Sequence, residues 1–316
     1  MSTAFLFPGQ GSQYVGMGKA WYRASAEARV LCERADAQLG YSLTQLCFAG
    51  PATELDRTEF TQPAIFVISL AMWRAMAAQL PQPAYLAGHS LGEFMALVVA
   101  GALDFDVALS LVAARGRLMA AAGERALGGM AVLLGASLET AEALCAVASN
   151  ESGASLVVAN DNCPGQVVIS GASAALDAAD VLASEFGVRR MRRLAVSVAP
   201  HSPLMADAQG EFAELLACIP LCEPQTPVVL NATAKPVSSP EEIRQALLCQ
   251  LTSPVRWQES MLWMEAQGVD AFVEIGPKDV LAGLVRRILK SARVEALDTL
   301  ADKMLVKPLA VSGVVS

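Results

Sequence analysis

One stretch, Ala84-Tyr-Leu-Ala-Gly-His-Ser-Leu-Gly-Glu-Phe-Met-Ala-Leu-Val-Val-Ala100, constrains this chain more than any other. Its opening residues read as a short apolar strand, and the run from Phe94 to Ala100 reads as a helix. Between them, Gly88-x-Ser90-x-Gly92 places one serine between two residues without a Cβ, where a side chain would clash as strand swings into helix. Such a turn pushes the Ser90 hydroxyl out at the C-terminal end of the strand. The helix that follows aims its free N–H groups, starting with that of Leu91, at negative charge developing there. Ser90 is therefore read as a nucleophile.

A chain of 316 residues suffices for one large α/β domain carrying a smaller one. Hydrophobic residues make up 54% and charged residues 17%, which implies a sizeable core and excludes disorder. No apolar run reaches membrane-spanning length; the longest, Phe94 to Leu103, stops at Asp104. The N-terminus has no basic region and no cleavage signature, so a cytoplasmic protein is expected. Seven scattered cysteines without a Cys-x-x-Cys pair suit reduced thiols, and no metal site is expected. A net charge of −8 argues against general nucleic-acid binding.

The rest of the chain can be taken in order. Residues 4–7 read as a strand, followed by the glycine-rich loop Pro8-Gly-Gln-Gly-Ser-Gln13. That loop lacks both the Gly-x-Gly-x-x-Gly spacing of dinucleotide sites and the Gly-Lys-Ser of phosphate loops. Helices are expected over 19–39, stopped by Gly40, and over 63–79 with Pro63 in the first turn. A third, 106–122, gathers Ala108, Leu111, Val112, Leu118 and Met119 on one face with Arg115 in their midst. Arg117 falls on the opposite side. A charge on an apolar stripe must be met by a carboxylate or a dense set of acceptors, so Arg115 is a candidate anion clamp.

From residue 127 the pattern becomes β-α-β-β-α-β: strands 130–134, 156–159, 166–170 and 190–196, helices 138–148 and 173–186, and a loop at 160–165. This is a ferredoxin-like order. The expected organisation is a small ferredoxin-like domain, 127–195, inserted in a large α/β domain formed by 1–126 and 196–316. The large domain resumes with a helix at 203–217, a strand at 228–230 and a capping box, Ser239-Pro-Glu-Glu242, opening a helix to about 250. A helix ended by Gly268, a strand at 271–275 and a helix at 278–289 follow; residues 303–316 show no clear period.

A serine nucleophile needs a general base, and the chain holds two histidines. His89 adjoins Ser90 on the turn, so its side chain should point away and pack or hydrogen-bond locally. His201 remains. With no usable Asp or Glu beside it, its orienting partner is expected to be a backbone carbonyl or an amide, making a dyad in place of a triad.

Seven motifs in order, Phe7-Pro-Gly-Gln-Gly-Ser-Gln13, Thr61-Gln-Pro-Ala-Ile65, Gly88-His-Ser-Leu-Gly-Glu93, Arg115-Gly-Arg-Leu-Met119, Asn160-x-Asn162-x-Pro-Gly-Gln166, His201-Ser-Pro-Leu-Met205 and Glu274-Ile-Gly-Pro277, make the chain resemble a known family. This is the malonyl-CoA:acyl-carrier-protein transacylase family, including free-standing acyltransferases that serve polyketide synthases. The resemblance implies a hydrolase-like core with a parallel sheet and a ferredoxin-like insert. It further implies that Ser90 takes the acyl group as an ester and that His201 is the base. Backbone N–H groups of Gln10 and Leu91 would form the oxyanion hole, Arg115 would pair with the malonyl carboxylate, and the Gln250 carbonyl would orient the histidine.

The implied reaction carries malonyl from malonyl-CoA, through Ser90, to the phosphopantetheine thiol of an acyl carrier protein, in a monomer with no bound cofactor. An acyl hydrolase of the same fold, clearing carrier proteins, is the alternative; a non-catalytic docking module is the third reading. Two departures from the family, Pro200 before His201 and Ala120 after Met119, fall near the acyl pocket and bear on which acyl groups fit. The positive run Arg189, Arg190, Arg192 and Arg193, with Arg286, Arg287 and Lys290, is the expected docking patch for an acidic carrier protein, Arg189 and Arg190 foremost.

Overall fold

Ten strands, β1 (Thr3–Phe7), β2 (Tyr85–Gly88), β3 (Gly128–Leu134), β4 (Leu156–Cys163), β5 (Gln166–Ala172), β6 (Arg190–Arg193), β7 (Val228–Val229), β8 (Pro236–Val237), β9 (Ala271–Glu274) and β10 (Arg293–Ala296), form two sheets. They are seen in a computed structural model that describes residues 2–298, so the stretch 303–316 lies outside the described residues. The larger sheet runs β10-β9-β1-β2-β7-β8 and is parallel except for the closing β7–β8 hairpin. The smaller is antiparallel, in the ferredoxin-like order β4-β5-β3-β6.

β1 is buried throughout, and apolar after Thr3, because both its faces are covered. Phe5 and Phe7 join the core shared with the helices Thr58–Met76, Gly92–Val99 and Phe105–Arg125. Ala4 and Leu6 face the other way, onto the helices Trp257–Ala266 and Val280–Ile288. β1 and β2 pair in register from Ala4–Tyr85 to Phe7–Gly88, so the glycine-rich loop and the Ser90 turn leave the sheet side by side. Among the described residues, no helix is long and apolar enough to cross a membrane.

The structure departs from the sequence expectations where a local contact or a packing demand outweighs periodicity. The helix expected over 19–39 is two, Lys19–Ala24 and Ala26–Leu39, because the Ser25 hydroxyl takes the Ala28 N–H and starts a new helix. Pro63 does not open its helix: Thr58–Met76 begins five residues earlier, with Pro63 inside. Only the Glu59 carbonyl, one turn back, forfeits its bond to the proline nitrogen, and burial of nearly the whole helix outweighs that loss. The stretch 160–165 is mostly strand. β4 continues to Cys163 through two register shifts, and the turn is only Pro164-Gly165. β6 stops at Arg193, and residues 194–200 cross back to the large sheet as irregular chain. Helices Leu43–Ala49 and Ala52–Leu55 and strands β8 and β10 had too few periodic residues to be read.

The glycines of the turn are required by contact. A Cβ on Gly92 would lie 2.0 Å from the Phe7 carbonyl oxygen, and one on Gly88 would lie 1.9 Å from the Gly92 carbonyl carbon. Both obstacles are backbone. Gly92→Ala should therefore destabilise the fold by about 3 kcal/mol, at the upper end for an overpacked core. Urea denaturation checks this; an unchanged midpoint would mean that the elbow helix does not lie against β1.

Candidate active site

At the end of β2 the chain passes through Ser90 with φ of 52°, a left-handed conformation rare for a residue with a Cβ. The Ser90 N–H donates to Asn231 Oδ1 at 2.7 Å, leaving the hydroxyl to face the cleft. Across the cleft, His201 also has a positive φ, 60°, and its Nε2 lies 2.8 Å from Ser90 Oγ. His201 Nδ1 is 2.9 Å from the carbonyl oxygens of both Gln250 and Ser253. Carbonyls only accept, so Nδ1 carries the proton and Nε2 is left to accept from the serine hydroxyl. Burial, aided by the charge of Arg115 and by His89, pushes the His201 pKa down to about 3 despite those two carbonyls. The imidazole is thus neutral at physiological pH, the form a general base requires.

His89 points away from the serine, as its place on the turn suggests. Its Nε2 lies 2.9 Å from Asn162 Oδ1, and its ring packs 5.4 Å from that of Trp257. The bond is not local: Asn162 belongs to β4 of the small sheet, which the turn alone could not reveal.

Arg115 is 1% exposed, within the helix Phe105–Arg125, and Arg117 is exposed. Its Nη1 donates to Gln62 Oε1 at 2.6 Å and its Nη2 to Ser90 Oγ at 3.3 Å, and its Nε has no partner among the described residues. Gln62 is available because its helix starts at Thr58; its own amide Nε2 sits 3.1 Å from Met119 Sδ. Burial lowers the Arg115 pKa to about 10, with the nearby Glu93 charge opposing the shift, so the guanidinium stays cationic. A buried cation short of acceptors beside the Ser90 hydroxyl is a place for an anionic group of a ligand.

These side chains line a cleft of about 420 Å³, bounded by the glycine-rich loop on one side and by Met130, Val168 and Val196 on the other. Gln10 and Leu91 line it too, and neither backbone N–H donates to another described residue. The Gln10 side chain is held by Thr58 Oγ1 at 3.1 Å. Pro200 is in the cleft wall; Ala120, one residue beyond Met119, is not. Arg189 and Arg190 are exposed and stand outside the cleft. Of their neighbours in the positive run, Arg193 pairs with Asp177, Arg287 bonds Gln166 and Pro164, and Arg286 donates to the Val294 carbonyl.

An acyl transferase domain model matches residues 4–308. The chain belongs to the acyl transferase family. It is 41% identical over 296 residues to the malonyl CoA-acyl carrier protein transacylase of Bacillus subtilis, covering 93% of this chain and 92% of that one. An acyl carrier protein S-malonyltransferase from Vibrio cholerae superposes with a TM-score of 0.92 at 42% identity, covering 97% of this chain and all of the other. A malonyl-transacylase solved in complex with a type II PKS acyl-carrier protein superposes with a TM-score of 0.91 at 39% identity, over 96% and 99% of the two chains.

Three residues at the centre of this candidate site escape a reading of the sequence for roles. Glu93 is a carboxylate in an otherwise apolar helix, and that anomaly was the available signal. Asn231 follows β7 in a turn that resembles any other polar turn. Ser253 contributes only a carbonyl, for which no side-chain signal exists.

Proposed function

We propose that this acyl transferase moves a malonyl group from malonyl-CoA to the phosphopantetheine thiol of an acyl carrier protein. The observation that carries this reading is Arg115, a buried cation with an unpartnered Nε whose Nη2 reaches Ser90 Oγ. A hydrolase releasing neutral acyl chains has no use for such a charge, and the relatives named above are transacylases.

The geometry supports a two-step reaction. His201 Nε2 takes the hydroxyl proton as Ser90 Oγ attacks the thioester carbonyl. The resulting oxyanion meets the N–H groups of Leu91 and Gln10, which are free to donate, while Arg115 holds the malonyl carboxylate. Collapse expels the CoA thiolate, which takes the proton back from His201, and the malonyl group is left as an ester on Ser90. The carrier thiol then repeats the sequence in reverse. The enzyme works in the cytoplasm as a monomer, without a bound cofactor.

Intact-mass measurement tests both halves. Incubation with malonyl-CoA should add one malonyl group, mapped to Ser90, and a carrier protein bearing its pantetheine arm should discharge it far faster than water does. Discharge by water alone would transfer the reading to a hydrolase. Exposed Arg189 and Arg190 would steer the acidic carrier at the edge strand β6. Reversing both to Glu should slow discharge to the carrier several-fold, more at low salt, and spare loading from malonyl-CoA. Equal loss in both steps would mean that the change damages the fold.

A further inference from the structure

Glu93 is 1% exposed and hydrogen-bonds neither the Ser90 hydroxyl nor the His201 ring, yet its carboxylate joins Asn231 and Gln250, the two residues that hold them. Its Oε2 accepts from the Asn231 backbone N–H at 2.7 Å and from Asn231 Nδ2. Asn231 then grips the turn: its Oδ1 takes the Ser90 N–H, and its Nδ2 also donates to the Gly88 carbonyl at 2.6 Å. These two peptide groups lead into Ser90, the left-handed residue on which the hydroxyl depends.

The second branch runs to the histidine. Glu93 Oε1 accepts from Gln250 Nε2 at 3.1 Å, and the same Nε2 donates to the Ser90 carbonyl at 3.1 Å. The Gln250 backbone carbonyl takes the His201 Nδ1 proton, and the next carbonyl, that of Leu251, takes the His201 N–H at 2.7 Å. Gln250 Oε1 has no partner among the described residues, so the amide is oriented through Nε2 alone.

We infer that Glu93 is a positioning residue that sets Ser90 and His201 relative to each other through Asn231 and Gln250; this rests on reading that pair as nucleophile and base. Every group facing the carboxylate is an N–H donor, so the position needs an acceptor on both oxygens. Burial pushes the Glu93 pKa up, and the bonds from Asn231 and Gln250, together with the Arg115 charge, oppose that rise. A glutamine here would keep the size but turn an N–H against an N–H on one branch.

The test measures how fast a fluorophosphonate labels Ser90, how completely it does so, and the KM for malonyl-CoA, in wild type, Glu93→Gln, Gln250→Leu and the double variant. A misplacement of the pair should slow labelling on the order of 100-fold while labelling still runs to completion. The KM should not rise, because Arg115 makes no hydrogen bond to Glu93 or Gln250 and stays cationic. The double variant should be no slower than the slower single one, since both changes cut the same tie. Wild-type labelling speed in folded Glu93→Gln would overturn the inference, as would a loss explained entirely by an unlabelled fraction. If Glu93→Gln does not fold, Gln250→Leu decides: slow but complete labelling supports the tie, and an unchanged rate overturns it. A wild type whose label falls elsewhere than Ser90 would overturn the nucleophile assignment itself, and the inference with it.

Discussion

Ser90→Ala should take up no malonyl group from malonyl-CoA, although it should fold as well as the wild type. Alanine keeps the Cβ of serine, so the positive φ at position 90 is no more strained than before, and Asn231 still holds the N–H of that residue. What disappears is the hydroxyl that sits 2.8 Å from His201 Nε2. His201→Ala keeps the hydroxyl and removes its base, and loading should fall by about 10³-fold. Because burial and the Arg115 charge hold the His201 pKa near 3, wild-type loading should show no acid limb in the ordinary histidine range. Mass spectrometry of the loaded protein across pH measures all three. Stoichiometric loading of Ser90→Ala would end the ester mechanism, and crippled loading in His89→Ala with a mild effect in His201→Ala would exchange the two histidines.

Arg115→Ala is expected to change which acyl group the enzyme prefers. In the free protein the guanidinium is satisfied only in part, by Gln62 and weakly by Ser90, while its Nε donates to no described residue. A malonyl carboxylate would complete it with a paired, desolvated contact, and truncating one side of such a pair typically costs about 2–5 kcal/mol. Malonyl loading should therefore drop by roughly tens- to thousands-fold, with acetyl loading unchanged or improved. Arg115→Lys should recover little, since a point charge cannot reproduce the planar fork or reach Gln62 and the carboxylate together. The comparison is the single-turnover loading rate from malonyl-CoA and acetyl-CoA in each protein, with the melting temperature as control. Equal loss with both thioesters would reduce Arg115 to a packing role, and Pro200 in the cleft wall would become the next residue to question.

Glu93 gives the two residues of the dyad a shared anchor, so their separation does not depend on the loop after β6 alone. Acting through two amides, it does at a distance what an orienting carboxylate does by contact.

That Ser90 and His201 would form a pair was legible in the amino-acid sequence because their signals are local or exhaustive. Two glycines around one serine, between a strand and a helix, leave the backbone little choice, and with only two histidines the adjacent one is excluded by the geometry of its own turn. Arg115 was legible for a related reason: helical periodicity states which face a residue occupies, and a cation on an apolar face demands an acceptor. The split βαβ order likewise specified the small sheet.

What only the tertiary structure decided is which partner meets each of these groups. Ser90 and Asn231 are 141 positions apart, and Gln250 and Glu93 are 157 apart. Periodicity encodes a face and carries no address for what packs against it, so Gln62 on Arg115 and Ser253 on His201 emerge only when distant elements close around the cleft. The helix at Thr58 makes the same point. Proline propensity placed its start at Pro63, and burial against the core moved it five residues back, which is what brings Thr58 to Gln10 and holds the glycine-rich loop beside Ser90.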